Sequence, residues 1–424
     1  MFDSTILGAI AKAHRASLRD LSYIEDALRQ RYSGSDDAIR ALILSVASGE
    51  PLLFVGPPGT GKSQLIRDFC ALSGVDLSAD AENSSEVDYF EYLLTPFTEP
   101  SELFGFYDIP SLQEGSPRRL EDGMMQNAKV VYLDEVFNGS SAILNSILTF
   151  MNERTFHERG IRRKVAMEHM FGATNLVPET GMLRAIYDRF VIRCSVINAP
   201  NRLQPFKELI KKGWRQTYGL PITATDGLSG QYDTFNSLFD ELSNMRLAMR
   251  KEVRESGQLQ PQNESDIYGK FMQLVDMTRN YGLSDMSNRR IIKILWVLCI
   301  HKLYVTVRDN IRTCTTEVFN DEKEWQVVMS TGEWDSLGPF TDREVIHGIV
   351  NGSLSPMNVC KSIHDENAHR IKDAINFSNN PMPEKIEITN QDLMLIPKFF
   401  LDKEDPELAM KMERTLASAE DYGS

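Results

Sequence analysis

The chain has 424 residues, which at roughly 100–200 residues per domain predicts two to four domains. Hydrophobic residues make up 42% and charged residues 25%, an ordinary globular balance that excludes whole-chain disorder and collagen-like structure. Lysine and arginine number 46 against 60 aspartates and glutamates, and the resulting −14 speaks against a broad duplex-wrapping surface. The five cysteines (Cys70, Cys194, Cys299, Cys314, Cys360) stand in no CxxC spacing, so neither a disulfide framework nor a zinc site is expected. The amino terminus lacks a basic segment followed by a long apolar run, and no apolar stretch reaches bilayer length. The expectation is a cytoplasmic protein without membrane insertion.

Residues 7–30 place Leu7, Ile10, Ala11, Leu18, Leu21, Ile24 and Leu28 at helical spacing, which predicts one N-terminal helix. Tyr32–Asp36 breaks the pattern, and Asp36 or Ser35 can cap a second helix running to about Ser48. Four short apolar runs follow, at 51–55, 129–133, 170–173 and 191–197, with helical stretches at 63–73 and 139–152 between them. Strands alternating with helices predict a doubly wound parallel sheet. Beyond residue 200 the pattern turns helical, over 235–254, 266–281 and 287–307. A last short helix at 389–396 is capped by Thr389 or Asn390, with Pro397 ending or kinking it.

Gly56-Pro57-Pro58-Gly59-Thr60-Gly61-Lys62-Ser63 fits G-x-x-x-x-G-K-[ST] at every fixed position, with Gln64 carrying the loop into the next helix. Glycines let successive backbone N–H groups turn inward around phosphate oxygens, and the helix start adds a favourable partial charge. Lys62 would reach the β- and γ-phosphates of ATP, and the Ser63 hydroxyl would ligate Mg²⁺. The apolar run at 130–133 ends in Asp134 and Glu135, a carboxylate pair that is costly at a strand end unless its charge is used. Asp134 suits the Mg²⁺ shell and Glu135 the attacking water. Asn175 ends the next strand, where a parallel sheet gathers its ligand-binding groups.

These residues resemble an AAA+ ATPase. Residues 90–105, 134–154 and 183–190 are similar to the MoxR family, and specifically to its RavA branch. The resemblance implies that Glu135 is the hydrolytic glutamate, Asn175 sensor 1 and Arg189 a finger reaching a neighbouring subunit's γ-phosphate, with Arg184 competing for that role. It implies that Arg289, or the adjacent Arg290, senses phosphate from the start of a lid helix. It also implies insertions near 99–122 and a hairpin near 155–168. The basic run 157–164 of that hairpin can grip an acidic partner or nucleic acid, or simply lie in solvent.

The fold expectation is therefore an α/β P-loop (AAA+) core followed by a helical lid with an inserted C-terminal module. The divisions fall at 1–30 (N-terminal helix), 31–200 (core), 201–307 (first lid part), 308–385 (insertion, possible partner-binding module) and 386–424 (final lid part and tail). The function expected is ATP hydrolysis in a ring, a hexamer, that remodels or matures a protein client beside a von Willebrand A-domain partner. A nucleic-acid-dependent motor or restriction-type NTPase, and a nucleotide-gated scaffold, are the alternatives. Net charge disfavours the motor, and the intact Lys62, Asp134, Glu135 and Asn175 disfavour the scaffold.

Overall fold

Alternation within the short apolar runs decides the architecture. In the computed structural model, strand β1 (Leu52–Val55) sends Leu52 and Phe54 to one face of a sheet and Leu53 to the other, and all three are buried. A strand covered on both faces belongs in the interior of a parallel sheet, and β1 lies there, between two neighbours. The structure describes residues 2–77, 87–197 apart from 116, 159–160 and 179–180, 207–214 apart from 208, 236–313 apart from 258, 260 and 262–265, and 382–417 apart from 403–404.

Five parallel strands run in the order β2 (Val87–Leu93), β3 (Ala128–Asp134), β6 (His169–Thr174), β1 and β7 (Ile192–Ser195). Leu52 pairs with Phe171 on one side and Ile192 on the other, while Leu133 pairs with Gly172. All four apolar runs are strands. The structure adds β2, an edge strand whose Asp88 and Glu91 pair with Lys129 and Arg67. An antiparallel hairpin, β4 (Thr155–Glu158) with β5 (Ile161–Lys164), stands where the resemblance implied one.

Helices α3 (Asp36–Ser48) and α4 (Lys62–Leu72) cover one face of the sheet. Ser35 takes the cap position of α3, and Gly49 ends that helix at φ 71°, a left-handed turn suited to glycine. Helices α5 (Pro100–Phe104), α7 (Ser141–Glu153) and α8 (Gly181–Tyr187) cover the other face, and α6 (Ile109–Gln113) lies beyond α5.

The single N-terminal helix is corrected to two, α1 (Ser4–Ala13) and α2 (Arg15–Arg31), broken at His14 with φ −112° and ψ 24°. The break lets α1 lean onto residues 382–388, where the Ile386 N–H donates to the Ser4 carbonyl at 2.9 Å. Gly8 lies so close to the Glu384 carbonyl that a Cβ would collide with it. The later helices are α9 (Asn236–Lys251), α10 (Asp266–Asn280) and α11 (Asn288–Thr313), then α12 (Asn390–Leu393), α13 (Leu395–Phe399) and α14 (Pro406–Ala417). Thr389 caps α12 in a reciprocal box with Asp392. The expected single helix there is interrupted at Met394. Pro397 does not end it, because it sits in the first turn of α13, where its missing N–H is tolerated.

These helices share one apolar core with α1–α4, so the N-terminal pair, the later helices and one sheet face are buried together. No described helix is long and apolar enough to cross a membrane. The proposed insertion at 308–385, with Trp325, Trp334 and Phe340, lies almost wholly outside the described residues, as do Cys314 and Cys360. Cys70, Cys194 and Cys299 are buried free thiols.

Candidate functional site

Three adjacent strands end side by side. Beyond β1 the Gly56 N–H donates to the Thr174 carbonyl of β6 at 2.9 Å, which sets Asn175 beside the start of the glycine loop. Any Cβ on Gly56 would collide with the Val196 carbonyl, so the close approach of three backbones requires glycine. Gly59 and Gly61 follow at φ 81° and 82°, with open space where a Cβ would stand. That is an inward-turned loop with room at its centre, opening helix α4.

Lys62 is buried at 8% exposure, and its Nζ donates to the Gly56 and Pro57 carbonyls at 2.7 and 2.9 Å. Burial pushes its pKa below the usual lysine value, opposed by the charges of Asp134 and Glu135. The ammonium is thus held over the loop by neutral carbonyls, which a phosphate would outcompete. Pro58 is exposed, and the Thr60 hydroxyl donates to the Pro57 carbonyl at 3.0 Å. The Gln64 side chain turns away, its amide donating to Asp68 at 2.7 Å, so only its backbone remains for a phosphate.

Strand β3 brings the acids. Asp134 closes the strand half-buried, and its carboxylate accepts the Glu135 N–H at 2.9 Å. Glu135 adopts φ 50° and ψ 46°, a left-handed conformation that costs a non-glycine residue about 1 kcal/mol or more. The turn holds this half-buried glutamate beside the glycine loop. Ser63 Oγ lies 3.0 Å from the hydroxyl of Tyr132, a buried β3 residue that the sequence reading passed over as part of an apolar run. Asn175 is exposed at the mouth of this arrangement.

The oxygen donors Ser63 and Asp134 form the hard set that suits Mg²⁺, and the open glycine loop suits a phosphate chain, so the residues present fit both groups.

The expected arginines lie elsewhere. Arg184 is tied within its own chain to Asp285 and Asp402, at 3.0 Å each. Arg189 pairs with Asp188 at 3.5 Å, and its Nε is buried without a hydrogen-bond partner. Arg290, 2% exposed, donates to Asp402 at 2.8 Å and to the Phe400 carbonyl at 2.7 Å. Burial pushes its pKa down to about 10, so it stays charged at neutral pH. Arg193 also pairs with Asp402, and its guanidinium donates to the Tyr187 and Phe190 carbonyls.

Arg289 is exposed and is not brought to the phosphate loop of its own chain. The first turns of α11 dock on the amino side of β1, where Lys293 pairs with Glu50 at 2.6 Å and Trp296 donates to the Ser48 carbonyl at 3.1 Å. A strand of about 13 Å separates that edge from Gly56. A cavity of about 350 Å³ lined by Arg184, Tyr187, Arg193, Asp285, Ser287 and Asp402 lies on the same amino side.

The MoxR domain of the MoxR–vWA–beta-propeller ternary systems matches residues 19–229. This chain carries a MoxR-family AAA+ domain. Its strands and loop lie inside the matched stretch, whereas α1 and everything after residue 229 lie outside it. Two uncharacterized proteins of Methanocaldococcus jannaschii are 33% identical over 195 residues and 35% identical over 174. Those matches cover 46% and 41% of this chain, which spans only 48% and 43% of the relatives. A crystal structure of a candidate ATPase from Cytophaga hutchinsonii aligns with a TM-score of 0.47 at 16% identity. It covers 70% of this chain and 82% of that one, a likeness too low to carry an argument. The MoxR domain therefore rests on the family match and on the parallel sheet itself.

Proposed function

We propose that the chain hydrolyses ATP to ADP and phosphate with Mg²⁺ and uses the energy to remodel a protein client. The carrying observation is the convergence of the glycine loop, the Asp134–Glu135 turn and Asn175 at the carboxyl ends of β1, β3 and β6. The loop N–H groups and Lys62 bind the phosphates, and Ser63 with Asp134 holds the cation. When bound, Mg²⁺ neutralises phosphate charge and so lowers the cost of the transition state. Glu135 polarises the attacking water and Asn175 orients it.

Arg189 is the arginine finger in this reading, supplied across a ring interface, because Arg184 is engaged with two carboxylates of its own chain. Its pair with Asp188 would have to open on assembly. Arg289, exposed at the start of α11, is the lid residue that senses phosphate in the same reading. A hexameric ring, a cytoplasmic setting and a von Willebrand A-domain partner complete the proposal. The partner is supported by the ternary systems for which the matched domain is described, and a beta-propeller protein is the natural third component. The RavA likeness rests on residues 90–105, 134–154 and 183–190. The lid, and a partner-binding role for 308–385, belong to the same proposal.

In the hairpin, Arg162 pairs with Glu153 and Arg163 with Glu121, so part of its basic charge is compensated within the chain. That favours a protein client over nucleic acid. The test is Glu135→Gln, expected to bind ATP at wild-type affinity while turnover falls about 10²–10⁴-fold. Hydrolysis near the wild-type rate would remove Glu135 from its role.

A further inference from the structure

Ser63 and Tyr132 come together from opposite sides of the phosphate site, one at the start of α4 and the other on the central part of β3. Their oxygens are 3.0 Å apart, and either is able to donate. Tyr132 is fully buried, and its hydroxyl faces the site rather than solvent. Asp134 follows two residues later on the same strand face, close enough to act on the Tyr132 hydroxyl. A serine hydroxyl has one proton and two lone pairs. A cation bound through a lone pair obliges that proton to point away from it, towards an acceptor. In this chain the acceptor at hand is the Tyr132 oxygen.

We propose that Tyr132 is a positioning residue for the divalent cation. It fixes the Ser63 hydroxyl so that a lone pair is left for the cation before nucleotide arrives. A phenylalanine would fill the same core volume, so retention of tyrosine's hydroxyl in a buried strand is accounted for by this hydrogen bond. The inference rests on the nucleotide-binding reading above and deepens it.

The experiment measures binding of a fluorescent ATP analogue by the full chain across a Mg²⁺ titration and in EDTA, with thermal unfolding as the check on folding. Tyr132→Phe is expected to raise the Mg²⁺ concentration for half-maximal binding about five- to tenfold, the size of one hydrogen bond to a cation ligand. Affinity in EDTA should stay within about twofold of wild type, which a general loosening of the core would not allow. Ser63→Ala should abolish the effect, so that adding Tyr132→Phe to it changes nothing further. If Tyr132→Phe leaves the Mg²⁺ dependence unchanged, or shifts binding equally with and without the metal, the positioning role is overturned while the nucleotide reading stands. If the wild-type chain binds no nucleotide, that reading falls and the inference falls with it. Should Tyr132→Phe unfold, Tyr132→Met, which also lacks the hydroxyl, must raise the Mg²⁺ requirement, and an unchanged requirement would overturn the role.

Discussion

At the carboxyl ends of β1, β3 and β6, polar groups are only partly engaged. Lys62 rests on two neutral carbonyls, Asp134 spends its carboxylate on the next backbone N–H, and Glu135 sits in a left-handed turn. At the amino ends of the same sheet the charges are matched. Arg184, Arg193 and Arg290 converge on Asp402, and neighbouring carbonyls take up further guanidinium donors. The difference separates two uses of buried charge. One end keeps its groups exchangeable for a ligand, and the other joins the core to the C-terminal segment through Phe400–Asp402.

That contrast can be broken from either side. The largest expected effect is Lys62→Ala, which should weaken ATP binding at least about 100-fold by removing the ammonium held over the loop. Its thermal unfolding should stay close to wild type, since two carbonyls are all that Lys62 holds; a large drop in melting temperature would make it a structural residue instead. Next comes Asp402→Ala, which strips the shared partner from buried arginines and should cost about 3–5 kcal/mol in chemical denaturation. Nucleotide affinity should remain within about twofold of wild type, and a selective loss of affinity would erase the division between the two ends. The smallest effect is Glu135→Gly, expected to raise stability by up to about 1 kcal/mol as the left-handed strain is relieved, partly offset by the freer unfolded chain. A loss of stability would show that the turn is not strained.

The sequence shows the two ends unequally, for a physical reason. Phosphate binding needs consecutive residues, so Gly56–Ser63 and Asp134–Glu135 stand out as local strings beside apolar runs. The Asp402 cluster draws on positions 184, 193, 290 and 402, contributed by four separate segments, and no local spacing announces it. Arg289 and Arg290 differ only in which side of α11 they occupy. Burial separates them at once, and periodicity at a helix start cannot. Strand β2 is hard to read because Asp88 and Glu91, on opposite faces of an edge strand, interrupt its apolar alternation. Tyr132 reads as core filling until α4 is seen to bring Ser63 against its hydroxyl. The break at His14 is hidden because Ala11 and Leu18, seven residues apart, keep the same stripe with or without it.

The contact of Gly8 with the Glu384 carbonyl has a consequence for biosynthesis. Helix α1 is made well before the segment that covers it. At about 5–20 residues per second the ribosome needs roughly 20–80 s to cover that interval. Throughout it, Leu7, Ile10 and Ala11 lack part of their final shelter, and the apolar face of α1 stays open until residues 382–388 emerge.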